Sequence, residues 1–421
     1  MDDLAASLWW HTAPPAPAAP PLVGDVTCEV AIIGAGILGL ATALALAEAG
    51  IAVRVLEADR IGSGASGRNG GLVVPSLPRI GPSEVAARLP HLPALVAGSA
   101  AATFALIRRH GIACDAVQNG WLMPAHAASL APRVRQRVAA WQQAGSACSW
   151  LDTAEARARL GSPHLHGALF DPTGGHLHPL AYARGLARAA IAAGAVVHEH
   201  TPVISLRSGF ALGTPGGTVR AGRVLQATNA MPPGVPGRVG RAIRDGTVPL
   251  IVYQLATQVL PDAARASVLP GDNSFSDTRN NLLAGRWTAD GRLVAGGMAM
   301  LHAGAGRRVS RHLARRLTTA FPSLPPLRFD YVWRGRAALT GDFLPRLMQP
   351  EPGWLAATAC NGRGVALNTA LAPLIAAFLA GGDAEALPLP LAPASPFRWP
   401  RLARLVPQLL LPLGDWRDRR A

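Results

Sequence analysis

The sequence predicts an α/β protein, in which a domain built on a parallel sheet joins a β-rich α+β domain. Three observations predict it. A strand, a GxGxxG turn, an apolar helix, a second strand and an acid follow one another over residues 29–57. A block dense in strand and hairpin signals spans roughly 246–300. The chain has 421 residues, 49% apolar and 15% charged, which suits a large buried core and excludes a disordered chain. At roughly 100–200 residues per domain, that length suits two or three domains or one large one.

The elements follow in order. Residues 1–27 read as an arm, Pro/Ala-rich over 14–21, with Trp9 and Trp10 available to anchor it to the surface. Residues 29–33 form a short buried strand, and Gly34-Ala35-Gly36-Ile37-Leu38-Gly39 turns into an Ala/Leu-rich helix ending at Gly50. Residues 52–56 form the second strand, closed by Glu57. Gly34 allows the tight turn, Gly36 lets a pyrophosphate approach, and Gly39 permits close helix–strand packing. The helix start offers bare N–H groups and positive dipole to phosphate. Glu57 lies 21 residues after Gly36, where an acid accepts from ribose hydroxyls and disfavours a 2′-phosphate, hence NADP.

The glycine-dense run 60–71 cannot pack a core but can wrap a flat cofactor. Residues 83–160 read as largely helical, 171–178 as a turn-rich loop, 180–193 as a helix and 195–200 as a strand. Residues 219–227 form a strand entering Thr228. In the β-rich block, 248–258 is a strand, and 282–287 with 292–297 form a hairpin around Asp290-Gly291. A helix follows over 306–320, a Gly/Arg loop region over 332–347, and a strand over 354–359. A long apolar helix then starts at Val365, and a Pro-, Trp-, Arg- and Leu-rich tail follows Pro388.

Composition narrows the function. All 40 basic residues are arginine, so a lysine Schiff base and a P-loop lysine are both excluded. The net charge of +15 favours polyanions or acidic membranes, but the arginines form no single long run and read as a solvated surface. Cys28, Cys114, Cys148 and Cys360 form no CxxC pair, which points to a reduced, cytoplasmic chain without disulfides. The start Met1-Asp2-Asp3 lacks the pattern of a signal peptide. The apolar stretches 30–46 and 365–379 read as buried segments, since one carries the glycine motif and the other Pro373. No acid/base dyad and no nucleophile elbow stand out. His176 and His178 could bind a metal, but beside Pro179 they read as loop residues, and no metal is expected.

Six stretches together resemble a known family. They are Gly34–Gly39 with Glu57, the run GSGASGRNGG at 62–71, Gly174-Gly175-His176-Leu177-His178-Pro179, and Ser276-Asp277-Thr278-Arg279 with Asp290-Gly291. The last two are Trp333-Arg334-Gly335-Arg336 through Asp342 and Pro345, and Asn361-Gly362-Arg363-Gly364-Val365. Over roughly residues 8 to 385 the chain resembles the D-amino-acid-oxidase-like FAD oxidoreductases, in the branch of glycine/sarcosine oxidase and γ-glutamylputrescine oxidase. The resemblance implies a Rossmann-like FAD-binding domain, over 28–85, 150–240 and 330–385, interleaved with a mixed-sheet substrate-binding domain over 86–149 and 241–329. The tail would span 386–421.

The resemblance also implies a cofactor site. Gly34, Gly36, Ile37, Leu38 and Gly39, with Glu57 and Ala58, would hold the ADP half of FAD. Gly64, Ala65, Ser66, Arg68, Asn69, Gly70 and Gly71 would carry pyrophosphate and the flavin edge. Val203 would lie near the adenine, with Thr228 also in contact. Asn361, Gly362, Arg363, Gly364 and Val365 would face the flavin pyrimidine, where helix dipole stabilises negative charge. Tyr253, Arg286, Trp333 and Arg336 are the candidate substrate contacts, an arginine fork suiting a carboxylate.

The implied reaction oxidises a carbon next to nitrogen in a small amine or amino acid, by hydride transfer to flavin N5 and imine hydrolysis. Two departures bear on it. The family's oxygen-activating lysine has no counterpart, so a dehydrogenase serving a quinone or other acceptor stands beside an oxidase. Residues 333–346 contain no cysteine, so FAD is expected to be non-covalent, with Cys360 a structural thiol. A tRNA-modifying flavoprotein is disfavoured, since only 5% of residues are aromatic and no separate RNA module is seen, so nucleic acid is not an expected partner. A non-catalytic flavin-binding or sensor protein is a further alternative, which bound flavin that no amine reduces would favour. The tail mixes Trp399, Leu402, Leu405 and Trp416 with arginines and could touch the inner membrane face. Pro400, Pro407 and Pro412 argue instead for a broken tail packed on the protein.

Overall fold

The computed structural model describes residues 4–229, 237–298, 304–358 and 360–418. Two large sheets organise the chain. In the first, nine-stranded sheet, Val26–Ile33 runs parallel to Val53–Leu56 on one side and Gly217–Gln226 on the other. Val196–His198 extends it in parallel beyond Val53–Leu56, and Trp354–Thr358 beyond Gly217–Gln226. The helix Ile37–Glu48 is buried nearly all round because its Ala/Leu surface is apolar on every side. It packs between the helices Pro179–Ala192 and Gly364–Leu379, and Leu92–Arg109 lies against the latter. Ile32, Leu40, Leu44, Leu186 and Ile375 belong to the resulting core.

The second, eight-stranded sheet is mixed. Its order is Phe329–Leu339, Val248–Thr257, Leu293–Met298, Ala284–Trp287, Ser274–Ser276, Trp121–Pro124, Ala168–Asp171, Ser149–Leu151. All neighbours are antiparallel except Ser274–Ser276 with Trp121–Pro124. Ala305–Ala320 covers one face, burying Val309, Leu313 and Leu317 against Leu255 and Phe275. The hairpin Ala284–Trp287 with Leu293–Met298 forms where Asp290-Gly291 signals it, but closes through a three-residue loop, Ala289-Asp290-Gly291 with Gly291 at φ +79°, rather than a two-residue turn.

Four sequence expectations are corrected. The region 83–160 is helical only in part, since Trp121–Pro124 and Ser149–Leu151 are strands. The region 332–347 is not a loop: Phe329–Leu339 is an eleven-residue strand paired along Val248–Thr257. The arm is not merely extended, because Leu8–Thr12 is helical, capped by Ser7 accepting from the Trp10 N–H; Trp9, 1% exposed, ties it to the body of the protein. The tail is helical over Pro400–Ala403 and Val406–Asp418, despite its prolines. Pro400 opens its helix, where a missing N–H costs little, while Pro412 lies inside the second. No helix of the described residues is long and apolar enough to cross a membrane.

Candidate active site

The strand-to-helix turn places its glycines where side chains would not fit. Gly34 has φ +107°, and a Cβ there would meet the Ala227 carbonyl at 3.2 Å. A Cβ on Gly39 would run into the Gly34 carbonyl, which is the close helix–strand packing the motif demands. At Gly36 a Cβ would lie 2.9 Å from Ser66 Oγ, and that hydroxyl accepts the Ile37 N–H at 3.0 Å. The first glycine motif and the Gly64–Gly71 run thus meet at the helix N-terminus. Leu38 is buried behind the turn.

Glu57 stands at the other side of this turn. Its carboxylate accepts from the Ala35 N–H at 2.7 Å and the Asp59 N–H at 3.0 Å. Burial pushes its carboxyl above the ordinary value, with Asp59 and Glu199 adding negative charge. Ala58 is exposed beside it. Val203 is buried against Ile33 and Leu56, and Thr228 Oγ1 accepts from Gln226 Nε2 at 3.3 Å just past the Gly34 turn.

The Gly64–Gly71 run is held from several directions. Ala65–Gly67 forms a 3₁₀ turn behind Gly64. Asn69 Nδ2 donates to the Ala65 and Ser66 carbonyls at 3.1 and 2.7 Å, and Asn69 Oδ1 accepts the Gly71 N–H at 2.8 Å. Arg68 Nε donates to the Ser63 carbonyl at 2.7 Å. Two indoles then grip consecutive carbonyls from outside: Trp333 Nε1 donates to Arg68 O and Trp9 Nε1 to Asn69 O, each at 2.9 Å. Gly71, at φ +78°, abuts the Leu177 carbonyl.

Arg286 is a buried strut. Its guanidinium donates to the carbonyls of Gly70 at 3.0 Å, Leu177 at 2.8 Å and Trp287 at 2.9 Å, and lies 4.7 Å over the Trp9 ring. Burial lowers its pKa to about 10, so it stays charged at neutral pH. Most of its fork is therefore occupied by backbone. His176 lies 3.5 Å from this guanidinium and also reaches the Asp272 carbonyl. His178 caps Pro179–Ala192, its Nδ1 accepting the Ala181 N–H at 3.2 Å. Among the described residues no three His, Cys, Asp or Glu side chains cluster as metal ligands would.

Strand alternation sorts the remaining candidates. Trp333 and Gly335 face the glycine-rich run, because Trp333 reaches Arg68 and a Cβ on Gly335 would lie 3.2 Å from Arg68 Cβ. Arg336 is one residue out of phase and takes the opposite face. Tyr253 joins the core packed on the Ala305–Ala320 helix, on that same opposite face. Its neighbour Gln254 is the residue sequence reasoning missed. A Cβ on Gly70 would lie 3.1 Å from Gln254 Oε1, and one on Gly296 would lie 2.7 Å from its Nε2. Those two glycines make room for the amide, which has no hydrogen-bond partner among the described residues. The period of two on the 248–258 strand held the signal, but nothing local said which face looked inward.

The last motif closes the site. Asn361 takes φ +51° and its Oδ1 accepts the Thr340 N–H at 2.9 Å, while Gly362 takes φ +80°. Arg363 caps the helix Gly364–Leu379, and its guanidinium lies 5.6 Å over the Trp121 ring. Burial and the nearby Arg137 lower its pKa to about 10. Val365 is buried in the first turn.

A model of the family described as DAO, FAD dependent oxidoreductase, matches residues 29–378. The chain belongs to the DAO family of FAD-dependent oxidoreductases. It is 32% identical over 368 residues to gamma-glutamylputrescine oxidoreductase of Escherichia coli (strain K12), covering 86% of this chain and 85% of that one. It is 30% identical over 373 residues to glycine oxidase of Geobacillus kaustophilus (strain HTA426), covering 83% of this chain and 92% of that one. The crystal structure of glycine oxidase from Geobacillus kaustophilus superposes with a TM-score of 0.72 at 25% identity, over 88% of this chain and 99% of that one. The fold is thus the interleaved one of this family, with its Rossmann-like FAD-binding part, and the cofactor is FAD. The donor set suits it: a glycine turn that excludes side chains at a helix N-terminus, a carboxylate beside it, and a second helix N-terminus at Gly364.

Proposed function

We propose that the chain oxidises the C–N bond of a small amine or amino acid, with hydrolysis of the resulting imine. FAD, when bound, would supply the oxidant, as the acceptor at flavin N5 of a hydride from the substrate α-carbon. The observation that carries the reading is the half-buried patch on the second sheet, where Val252, Gln254 and Gly335 face the Gly64–Gly71 run. Substrate held there would lie between this sheet and the cofactor. Names of relatives that act on gamma-glutamylputrescine and glycine support the substrate class.

Each part of the chain has a role in this reading. The 28–85, 150–240 and 330–385 segments supply most of the FAD domain and 86–149 with 241–329 most of the substrate domain, while the strands Ala168–Asp171 and Phe329–Leu339 cross over into the second, substrate-side sheet. Gly34, Gly36, Gly39 and Glu57 hold the ADP half, and residues 64–71 hold the pyrophosphate and flavin edge. Asn361–Gly364, with the N–H groups of its helix N-terminus, would face the pyrimidine and stabilise negative charge there, and Arg363 would add its charge. Gln254 orients the substrate by its free amide. FAD is held non-covalently. Arg286 and Trp333 act by fixing the glycine-rich run rather than by touching substrate.

The acceptor is oxygen or a quinone. The absence of any lysine favours the second, since the usual oxygen-activating cation is missing. Contact with a quinone-bearing membrane would run through the C-terminal tail. An α-deuterated substrate tests the chemical step: anaerobic bleaching of the flavin should slow severalfold on deuteration. Product carbonyl without an isotope effect on any reductive phase would count against hydride transfer from carbon.

A further inference from the structure

We propose that the segment 398–418 is an interfacial cover that lies across one end of the substrate sheet and docks on an anionic phospholipid bilayer. Among the described residues, seven of the eleven large apolar side chains that stand exposed fall between Trp399 and Trp416. Scattered single exposures are ordinary, but a run of this density on one segment marks an interaction surface. Trp399 and Trp416 are 63% and 51% exposed and bracket the run, as aromatic residues do at a lipid–water boundary.

Charge selects the partner. Arg398, Arg401 and Arg417 are exposed along the same segment, and Arg401 and Arg417 have no carboxylate partner among the described residues. A symmetric contact between two copies would set these cations against one another. A bilayer carrying anionic headgroups presents the opposite sign, which attracts arginines near its surface. At 13 residues, Val406–Asp418 is too short to span a bilayer and suits the interface plane.

The anchoring says what the cover lies over. At its start, Phe397 N–H donates to the Asp245 carbonyl at 2.9 Å and Arg404 pairs with Asp245 at 2.8 Å, just before the strand Val248–Thr257. At its end, Asp418 accepts from Asn280 N–H at 2.8 Å and Asn280 Nδ2 at 2.7 Å, in the loop between Ser274–Ser276 and Ala284–Trp287. The antiparallel register Val248↔Leu339 and Val252↔Met298 puts the ends of the two neighbouring strands at this same edge. The segment therefore bridges the edge from which Leu250 and Val252 open toward the site, and its docked face is turned away from it.

The test uses the full-length flavoprotein and sedimentation with vesicles of phosphatidylethanolamine and phosphatidylglycerol, against phosphatidylcholine alone. Binding to the anionic vesicles, weakened by salt, with a blue shift of tryptophan emission, is expected. Arg401→Gln with Arg417→Gln should weaken it at least tenfold, and Leu402→Ser with Leu410→Ser should abolish it, both with the flavin spectrum unchanged. The readout does not depend on turnover, so it fails or succeeds apart from the proposed reaction. No binding to either vesicle, equal binding to both, or a dimer that the leucine variant dissolves would overturn the proposal.

Discussion

The indole N–H of Trp9 donates to the carbonyl of Asn69 at 2.9 Å, joining the N-terminal arm to the glycine-rich run. The Trp9 ring lies 4.8 Å from His178 and 5.6 Å from Trp333, and Trp333 in turn holds the Arg68 carbonyl. Backbone that carries no side chains cannot order itself by packing. Here two tryptophans and Arg286 order it from outside.

Removing one of these grips should therefore loosen the cofactor. Trp9→Phe loses the hydrogen bond while keeping much of the ring, costing about 1 kcal/mol. Trp9→Ala adds a cavity and should cost roughly 3–5 kcal/mol. Thermal unfolding measures both, and the flavin retained after gel filtration should fall in the same order. Flavin retention equal to the parent in Trp9→Ala would separate the arm from the site.

His178 gives the arm a pH dependence. Burial, then the Arg286 charge, push its pKa down from 6.5 to about 3. Its Nδ1 accepts the Ala181 N–H, so the proton sits on Nε2 and donates to Thr12 Oγ1 at 3.0 Å. The folded state binds its proton less readily than the unfolded one. That contribution is complete above pH 6.5 and is lost as pH falls toward 3, at about 2 kcal/mol by pH 5. His178→Asn keeps an acceptor at the cap but cannot titrate. Its Tm should drop less than the parent's between pH 7 and 5.

The glycine motif predicts two different defects. Gly39→Val would drive a side chain into the Gly34 carbonyl and should destabilise the chain by roughly 2–3 kcal/mol or prevent folding. Gly36→Ala meets only Ser66 Oγ, which can rotate at the loss of its bond from the Ile37 N–H, so the chain should still fold in its apo form with a Tm at most a few degrees below the parent's. Its FAD affinity should nonetheless fall at least tenfold, read by fluorescence titration.

The glycine turn and hairpin were legible because their signals are local. A strand, GxGxxG and an acid sit within 30 residues, and Asp290-Gly291 marks its own turn. What was not legible depended on distant partners. Phe329–Leu339 looks like loop because Gly335, set between Arg334 and Arg336, and the following Ala337-Ala338 are weak strand formers, yet Val248–Thr257 supplies a full ladder. Trp121–Pro124 and Ser149–Leu151 are too short to show alternation. Which face of 248–258 looks at the cofactor is set by Leu313 packing on the other side, so Tyr253 stood out in the sequence where Gln254 faces the site.

Gln254 therefore carries a prediction that Tyr253 does not. Gln254→Leu should raise KM for the amine or amino acid about tenfold, with a smaller change in kcat, as loss of one hydrogen bond implies. Tyr253→Phe, in the core against Leu313, should leave KM within about twofold. Steady-state kinetics on any compound that reduces the flavin would compare them.

The central claim is that this chain binds FAD and that an amine or amino acid reduces it. The most direct measurement is the visible spectrum of the purified protein during anaerobic addition of small amines and amino acids. Flavin bands that bleach with at least one compound, and return on admitting oxygen or a quinone analogue, are the predicted result. A flavin spectrum that no such compound alters would contradict the proposed reaction, and a chain that neither carries nor takes up FAD would contradict the site itself.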